Sequence, residues 1–259
     1  MTTGEKSITA SEAEYSKPIY KTDSLPQVRL VERQDISEEL MIIKLEPEDG
    51  HFNFKPGQYC TLGTEGVERA YSIVSAPYES LLEIFVELVP EGELTPKMWK
   101  LNVGDSMSIR PRPKGIFVLN EKVHHHLMVA TVTGIGPYLS IIREYLHQGG
   151  EGHFFYVLFG ASYQDELTYD EELRQLAKDH PECVKYVGTV SRPDDQRNAE
   201  WDGERGRVNT LVQKYLAEFD LPHDDTMVYT CGHPGMIADV KEQVTPLGWQ
   251  FTEERFWKE

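Results

Sequence analysis

Arg69-Ala70-Tyr71-Ser72 places a guanidinium, a phenol ring and a hydroxyl on one short extended stretch. In a strand, residues two apart share a face. Arg69 and Tyr71 therefore point one way, Ala70 and Ser72 the other. Arginine clamps phosphate, tyrosine offers a flat ring, and a serine hydroxyl can bond a ring nitrogen. The set suits a flat, phosphate-bearing ligand. Arg and Tyr are also common on half-exposed strands, so the tetrapeptide alone fits both readings.

Three later segments end in residues of related use. Thr131-Val132-Thr133-Gly134-Ile135-Gly136-Pro137 leaves a strand through glycines and enters a helix. Glycine lets a ligand approach the backbone, and a helix N-terminus attracts phosphate. The spacing is not G-x-G-x-x-G, so the dinucleotide fingerprint proper is absent; an ordinary strand-to-helix turn fits the same residues. Thr230-Cys231-Gly232-His233-Pro234 is a second such end. Its small, polarizable Cys231 suits either a flat ring or a buried structural role. Val190-Ser191-Arg192 is the third, and Arg207 follows Gly206 in the next loop. An acidic residue there would bind a ribose diol, whereas arginine suits a 2′-phosphate. Convergence of Ser191, Arg192 and Arg207 on one phosphate is preferred here to solvated loop arginines beside Asp194 and Asp195.

The elements that must position these groups fall into two textures. From Gln27 to Leu119 short alternating strands are separated by turns such as Pro56-Gly57 and Val103-Gly104-Asp105. That spacing predicts a barrel or sandwich. Thr95-Pro96 interrupts it as an N-cap followed by proline at the first helical position. After Glu121, apolar strands alternate with helices over Tyr138–Leu146, Tyr169–Lys178, Val208–Glu218 and Pro234–Val244, which predicts a parallel sheet covered on both faces. The polar–aromatic tail from Trp249 to Trp257 is expected to end near the surface. The expected organisation is a lead-in over 1–26, an antiparallel β-barrel over 27–121 and an α/β domain over 122–259.

Composition bounds the partners. The chain has 259 residues and a formal net charge of -17, and a nucleic acid would be repelled by such a surface. Three cysteines, far apart, support no disulfide framework or four-thiolate cluster and fit a reducing, cytoplasmic setting. The lead-in lacks the apolar core of a secretory signal, and no run approaches a membrane span. His124-His125-His126 enters a strand, where neighbours point to alternate faces, so no metal site is expected. Arg110-Pro111-Arg112-Pro113-Lys114 is a local cation cluster that suits docking of an acidic protein or a rigid solvated turn.

Taken together, Arg69-Ala70-Tyr71-Ser72, Gly92-Glu93-Leu94-Thr95, Thr133 to Ser140, Val190-Ser191-Arg192 and Cys231-Gly232-His233-Pro234-Gly235-Met236 resemble, in residues and in order, the bacterial ferredoxin/flavodoxin–NADP⁺ reductases. The resemblance runs from about Gln27 to the C-terminus. It implies an antiparallel FAD-binding barrel followed by an α/β domain binding NADP(H). It implies that Arg69 holds the FAD pyrophosphate, with Ala70 between it and Tyr71. Tyr71 lies against the isoalloxazine and Ser72 bonds near its N5. Leu94 and Thr95 bind the FAD phosphates through backbone and hydroxyl. Thr133, Gly134, Gly136 and the helix from Pro137 face the nicotinamide and pyrophosphate, Cys231 lies near the nicotinamide, and Phe256, with Trp257 as competitor, covers the other flavin face.

Two residues depart from that pattern. Val132 stands where the family usually has glycine, and Ser162 where relatives carry an arginine that contacts the nucleotide phosphates. The resemblance implies an enzyme that passes electrons between NADPH and ferredoxin or flavodoxin, working as a monomer. Alternatives on the same fold are a reductase component supplying an oxygenase, an NADH-dependent relative, and a flavin-binding regulatory protein without turnover.

Overall fold

The computed structural model describes residues 25–48 and 50–255. Its first sheet holds β1 (Gln27–Asp35), β2 (Leu40–Pro47), β3 (Tyr59–Thr64), β4 (Val67–Ser72), β5 (Leu82–Glu87) and β6 (Ser106–Ile109). They run antiparallel in the order β4-β3-β6-β1-β2-β5. Alternation decides which face turns inward: in β2, Met41, Ile43 and Leu45 are buried while Ile42 and Lys44 are less so. The two edge strands are drawn toward each other as the chain leaves β4, where Val74 N–H donates to Glu83 O at 2.9 Å. Edge pairing of this kind protects strands that would otherwise template aggregation. A short helix α1 (Thr95–Met98) lies between β5 and β6.

The second sheet holds β7 (His125–Thr131), β8 (Phe154–Ala161), β9 (Val184–Val190), β10 (Glu204–Arg205), β11 (Thr226–Cys231) and β12 (Gln250–Glu254). All its pairs are parallel, in the order β10-β9-β8-β7-β11-β12. Central strands read as continuous apolar runs because helices cover both faces; Phe155 to Ala161 are all buried. The helices are α2 (Gly136–His147), α3 (Asp170–Asp179), α4 (Val212–Glu218) and α5 (Pro234–Val244). Helix α3 opens on Asp170, Glu171 and Glu172 and carries Lys178 in its last turn, matching the helix dipole at both ends. Strand order reverses between β7 and β11, and in an open α/β sheet that switch point is where ligands bind.

One strand is added to the expected set and one expectation is corrected. The stretch after Trp249 contains β12, paired along its length with β11. Its Gln-Phe-Thr-Glu-Glu sequence is too polar to announce a strand, and the neighbouring ladder supplies the order. Thr95 is no N-cap: the helix starts at Thr95 itself, with Leu94 preceding it and no side-chain cap. The Thr95 hydroxyl instead accepts from Val89 N–H at 2.9 Å and donates to Val89 O at 3.1 Å, closing the turn before the helix.

The two sheets share one apolar core, in which Leu40, Val74, Phe85 and Phe117 of the first half pack with Met128, Tyr138 and Phe155 of the second. An ionic network crosses the same boundary. Arg143 of α2 bonds Glu172 of α3 at 2.7 Å through both Nε and Nη2, and reaches Glu83 of β5 at 3.3 Å and Glu79 at 3.6 Å. Tyr169 donates its hydroxyl hydrogen to Glu83 at 3.0 Å. Burial disfavours the Arg143 charge, but the carboxylates around it outweigh that and hold its pKa above the ordinary value.

The histidines of His124-His125-His126 go to separate partners: Asp225, the Tyr156 hydroxyl and His153. His126 is fully buried, its Nδ1 has no partner among the described residues, and burial foremost, with His153 next, pushes its pKa down to about 3. The unfolded chain takes up that proton near 6.5. Stability from neutral His126 is therefore complete above about pH 6.5 and is lost as pH falls toward the folded value. The expected slope is about 1.4 kcal/mol per pH unit. Urea denaturation of the protein and of His126→Phe should give stabilities that converge with this slope on acidification; parallel curves would contradict it.

Candidate functional site

The ends of β7 and β11 interlock. A Cβ on Gly134 would lie 2.2 Å from the Cys231 carbonyl oxygen, and a Cβ on Gly232, at φ +123, 2.2 Å from Thr131 Oγ1. Thr131 Oγ1 accepts from the His233 N–H at 2.7 Å. Gly134 is thus buried beneath the neighbouring strand end, and what its missing side chain allows is the close approach of two loops. Thr133 and Val132 line the cleft above them. Val132 has φ 42, a left-handed backbone that costs a β-branched residue about 1–3 kcal/mol.

That cleft, of about 1060 Å³, runs from the β7 and β11 ends across β8 and β9, and includes Ser191, Arg192 and Arg207. All three of these residues line the cleft. Neither Arg192 nor Arg207 makes an ion pair among the described residues. The cleft also takes in Tyr163 and Arg197, which the sequence did not single out. On the barrel side it is bordered by Glu39 and Glu87; burial, then Glu166 and Glu39, raise the Glu87 carboxyl above its ordinary value.

Beside this cleft stands β4. Ser72 ends the strand, and a Cβ on Gly136 would be 3.6 Å from Ser72 Cβ. The first residue of α2 therefore stands against the serine. Tyr71 is half-buried on the barrel core, and burial raises its phenol pKa. Ala70 pairs with Thr61 in the ladder. Arg69 is exposed, ion-paired with Glu93 and bonded to the Glu68 carbonyl. That pairing brings its guanidinium beside Leu94 and the start of α1. The Thr95 hydroxyl is turned inward, so an anion there would meet backbone and Arg69 instead. Of the basic cluster, Arg110 is held by Glu68 in two bonds of 2.7 and 2.6 Å, which neutralises its charge.

Cys231 and Glu254 face each other in the β11–β12 ladder and both are buried. Burial pushes the Cys231 thiol well up, with Glu254 adding to it. Burial also lifts the Glu254 carboxyl to about 8, and its Oε2 has no partner among the described residues. A Cβ on Gly115 would lie 3.3 Å from Glu254 Oε1. A Glu in a polar tail reads as solvated; only the unforeseen strand pairing buries it. Phe256 and Trp257 lie outside the described residues.

An arginine paired just before a helix start, a half-buried phenol and a serine against the start of α2 fit a flat-ring nucleotide on the barrel. A glycine-lined crevice with two arginines that make no ion pair among the described residues fits a second nucleotide. Residues 27–118 match the oxidoreductase FAD-binding domain and residues 128–242 the oxidoreductase NAD-binding domain. The flavodoxin/ferredoxin–NADP reductase of Escherichia coli is 32% identical over 201 residues, covering 73% of this chain and 77% of its own. The NADH-cytochrome b5 reductase 1 of Candida glabrata is 27% identical over 248 residues, 92% and 85% of the two chains. The fold matches a ferredoxin NADP⁺ reductase from Neisseria gonorrhoeae with a TM-score of 0.75 at 23% identity, covering 89% of this chain and 98% of the other.

Proposed function

The chain belongs to the flavodoxin/ferredoxin–NADP reductase family of flavin-dependent oxidoreductases, and from that premise we propose that it moves electrons between NADPH and a separate one-electron carrier, ferredoxin or flavodoxin. One observation carries the reading. The start of α2, just after the β7 end of the α/β half, stands against Ser72 of the barrel, so two nucleotides bound in the two halves would meet there. A bound FAD would supply the exchange between two-electron and one-electron chemistry; this chain's residues would supply binding, orientation and electrostatics.

In this reading Arg69 exchanges Glu93 for the FAD pyrophosphate, aided by backbone at Leu94 and Thr95. Tyr71 supports the flat ring and Ser72 bonds its edge. Thr133, with Gly136 at the helix start, orients the nicotinamide end, and Cys231 lies beneath it. Ser191, Arg192 and Arg207 take the 2′-phosphate. Glu254, whose carboxyl burial lifts to about 8, stays largely protonated at neutral pH beside Cys231. The barrel is assigned to 27–121 and the nucleotide domain to 122–259, acting as a monomer in the cytoplasm. No helix among the described residues is long and apolar enough to cross a membrane.

A second reading, an NADH-dependent reductase, is favoured by Ser162, which brings no cation to the cleft. Turnover decides between an electron-transfer enzyme and a silent flavin binder. FAD-loaded protein with NADPH should reduce a one-electron acceptor such as ferricyanide, and cytochrome c only when ferredoxin or flavodoxin is added. Failure with every acceptor would overturn the enzyme reading.

A further inference from the structure

Among the described residues, three that are not glycine have a positive φ: Glu65 and Asp220 at 48 and Val132 at 42. Glu65 sits in the turn between β3 and β4, and Asp220 follows α4. Val132 is the β-branched one, for which the left-handed region is a true outlier. Glycine would take that backbone without steric cost. Its neighbours hold the strain in place. Thr131 Oγ1 accepts from the His233 N–H, and Gly134 lies beneath the Cys231 carbonyl, so both flanks of Val132 are pinned to the end of β11.

Packing offsets only part of that strain. Val132 is half-buried: it packs on the apolar core that joins the two halves, and it also lines the cleft. A valine gains its full burial energy only when it leaves water completely. Strain of this kind persists where the surroundings over-determine it, and it gathers where a side chain has a use. The position of Val132 identifies the use. The segment Val132–Ile135 lies close to β5 of the barrel and to β8 and β11 of the second sheet. Leu40, which pairs with Glu87 between β2 and β5, borders the same cleft. An isopropyl group here narrows the crevice between the barrel edge and the strand ends. Ser191, Arg192 and Arg207 follow β9, which β8 separates from β7.

We propose that Val132 is a steric stop on the coenzyme: its methyl groups limit how far the nicotinamide end enters between the two halves, and so set the rate of hydride transfer from NADPH and NADH alike. The proposal deepens the two-nucleotide reading and rests on it. Choice between the coenzymes lies with the arginines after β9. The stop acts on the part that both coenzymes share.

Two substitutions separate the stop from the strain. Val132→Gly removes both, whereas Val132→Ala removes the stop and keeps a Cβ at the same φ. The FAD-loaded proteins are mixed anaerobically with NADPH or NADH. Flavin bleaching should be about 10-fold faster in both variants and with both coenzymes, since a misplacement of about 1 Å can cost about 100-fold. NADP⁺, titrated calorimetrically so that binding is read without turnover, should bind both variants several-fold more tightly. Urea midpoints should split: Val132→Gly at or above the unaltered protein, and Val132→Ala below Val132→Gly, because alanine is strained at positive φ. Bleaching rates that follow the midpoints would make the role structural and overturn the stop. Slower bleaching in both variants would make the side chain a support and overturn it equally. If the unaltered protein bleaches but rates and NADP⁺ affinity are unchanged in both variants, the stop falls while the two-nucleotide reading stands. If the unaltered protein keeps its FAD and neither coenzyme bleaches it, that reading falls and the stop with it.

Discussion

Replacing Arg192 and Arg207 together with alanine is expected to raise KM for NADPH by about 100-fold and to leave KM for NADH nearly unchanged. Both guanidiniums line the cleft and neither is in an ion pair among the described residues. Each would make charge-assisted bonds worth about 1.5–3 kcal/mol to a phosphate dianion. Two such losses give roughly 3–6 kcal/mol; solvent screening of exposed side chains brings the sum toward the lower end, about a factor of 100. NADH lacks the phosphate and loses nothing of this kind. Steady-state kinetics with both coenzymes would show it. Equal losses for NADPH and NADH would mean that these arginines shape the loop and do not read the phosphate.

Arg143→Met is expected to destabilise the protein by about 2–4 kcal/mol. The arginine side chain is only 14% exposed and Glu83 11%. Removing one partner from a buried pair leaves an uncompensated charge, typically costing about 3–5 kcal/mol. Glu172 and Glu79 are about a third exposed, at 34% and 30%, so solvent relieves part of their share. Glu83 has no such relief and, among the described residues, keeps the Tyr169 hydroxyl as its side-chain partner. Because α2, α3 and β5 meet at this arginine, the loss should appear in one cooperative urea transition of both halves. A change below about 1 kcal/mol would show that the apolar core alone joins them.

What could be read in the sequence was local and chemical. Glycines at strand ends, apolar runs such as Phe154 to Gly160, and the helix entering at Pro234 report their own backbone needs. So the α/β half and its crevice were legible. What remained hidden depended on partners distant in sequence. Glu254 is unremarkable until β12 pairs with β11 and sets it against Cys231. Asn198 is one polar loop residue among many until it bridges two strand ends. Thr95 has the composition of a cap, yet its hydroxyl is engaged by Val89. Val132 could be noted as a departure from glycine, but its positive φ is visible only in the folded loop.

Hydride transfer from NADPH to a flavin held between the two halves is the central step of the proposed reaction. The direct measurement is the visible spectrum of FAD-loaded protein under anaerobic conditions as NADPH is added. The oxidised flavin bands should bleach stoichiometrically with NADPH and return when a one-electron acceptor is supplied. A flavin that stays oxidised under excess NADPH, in protein that retains its FAD, would contradict the account.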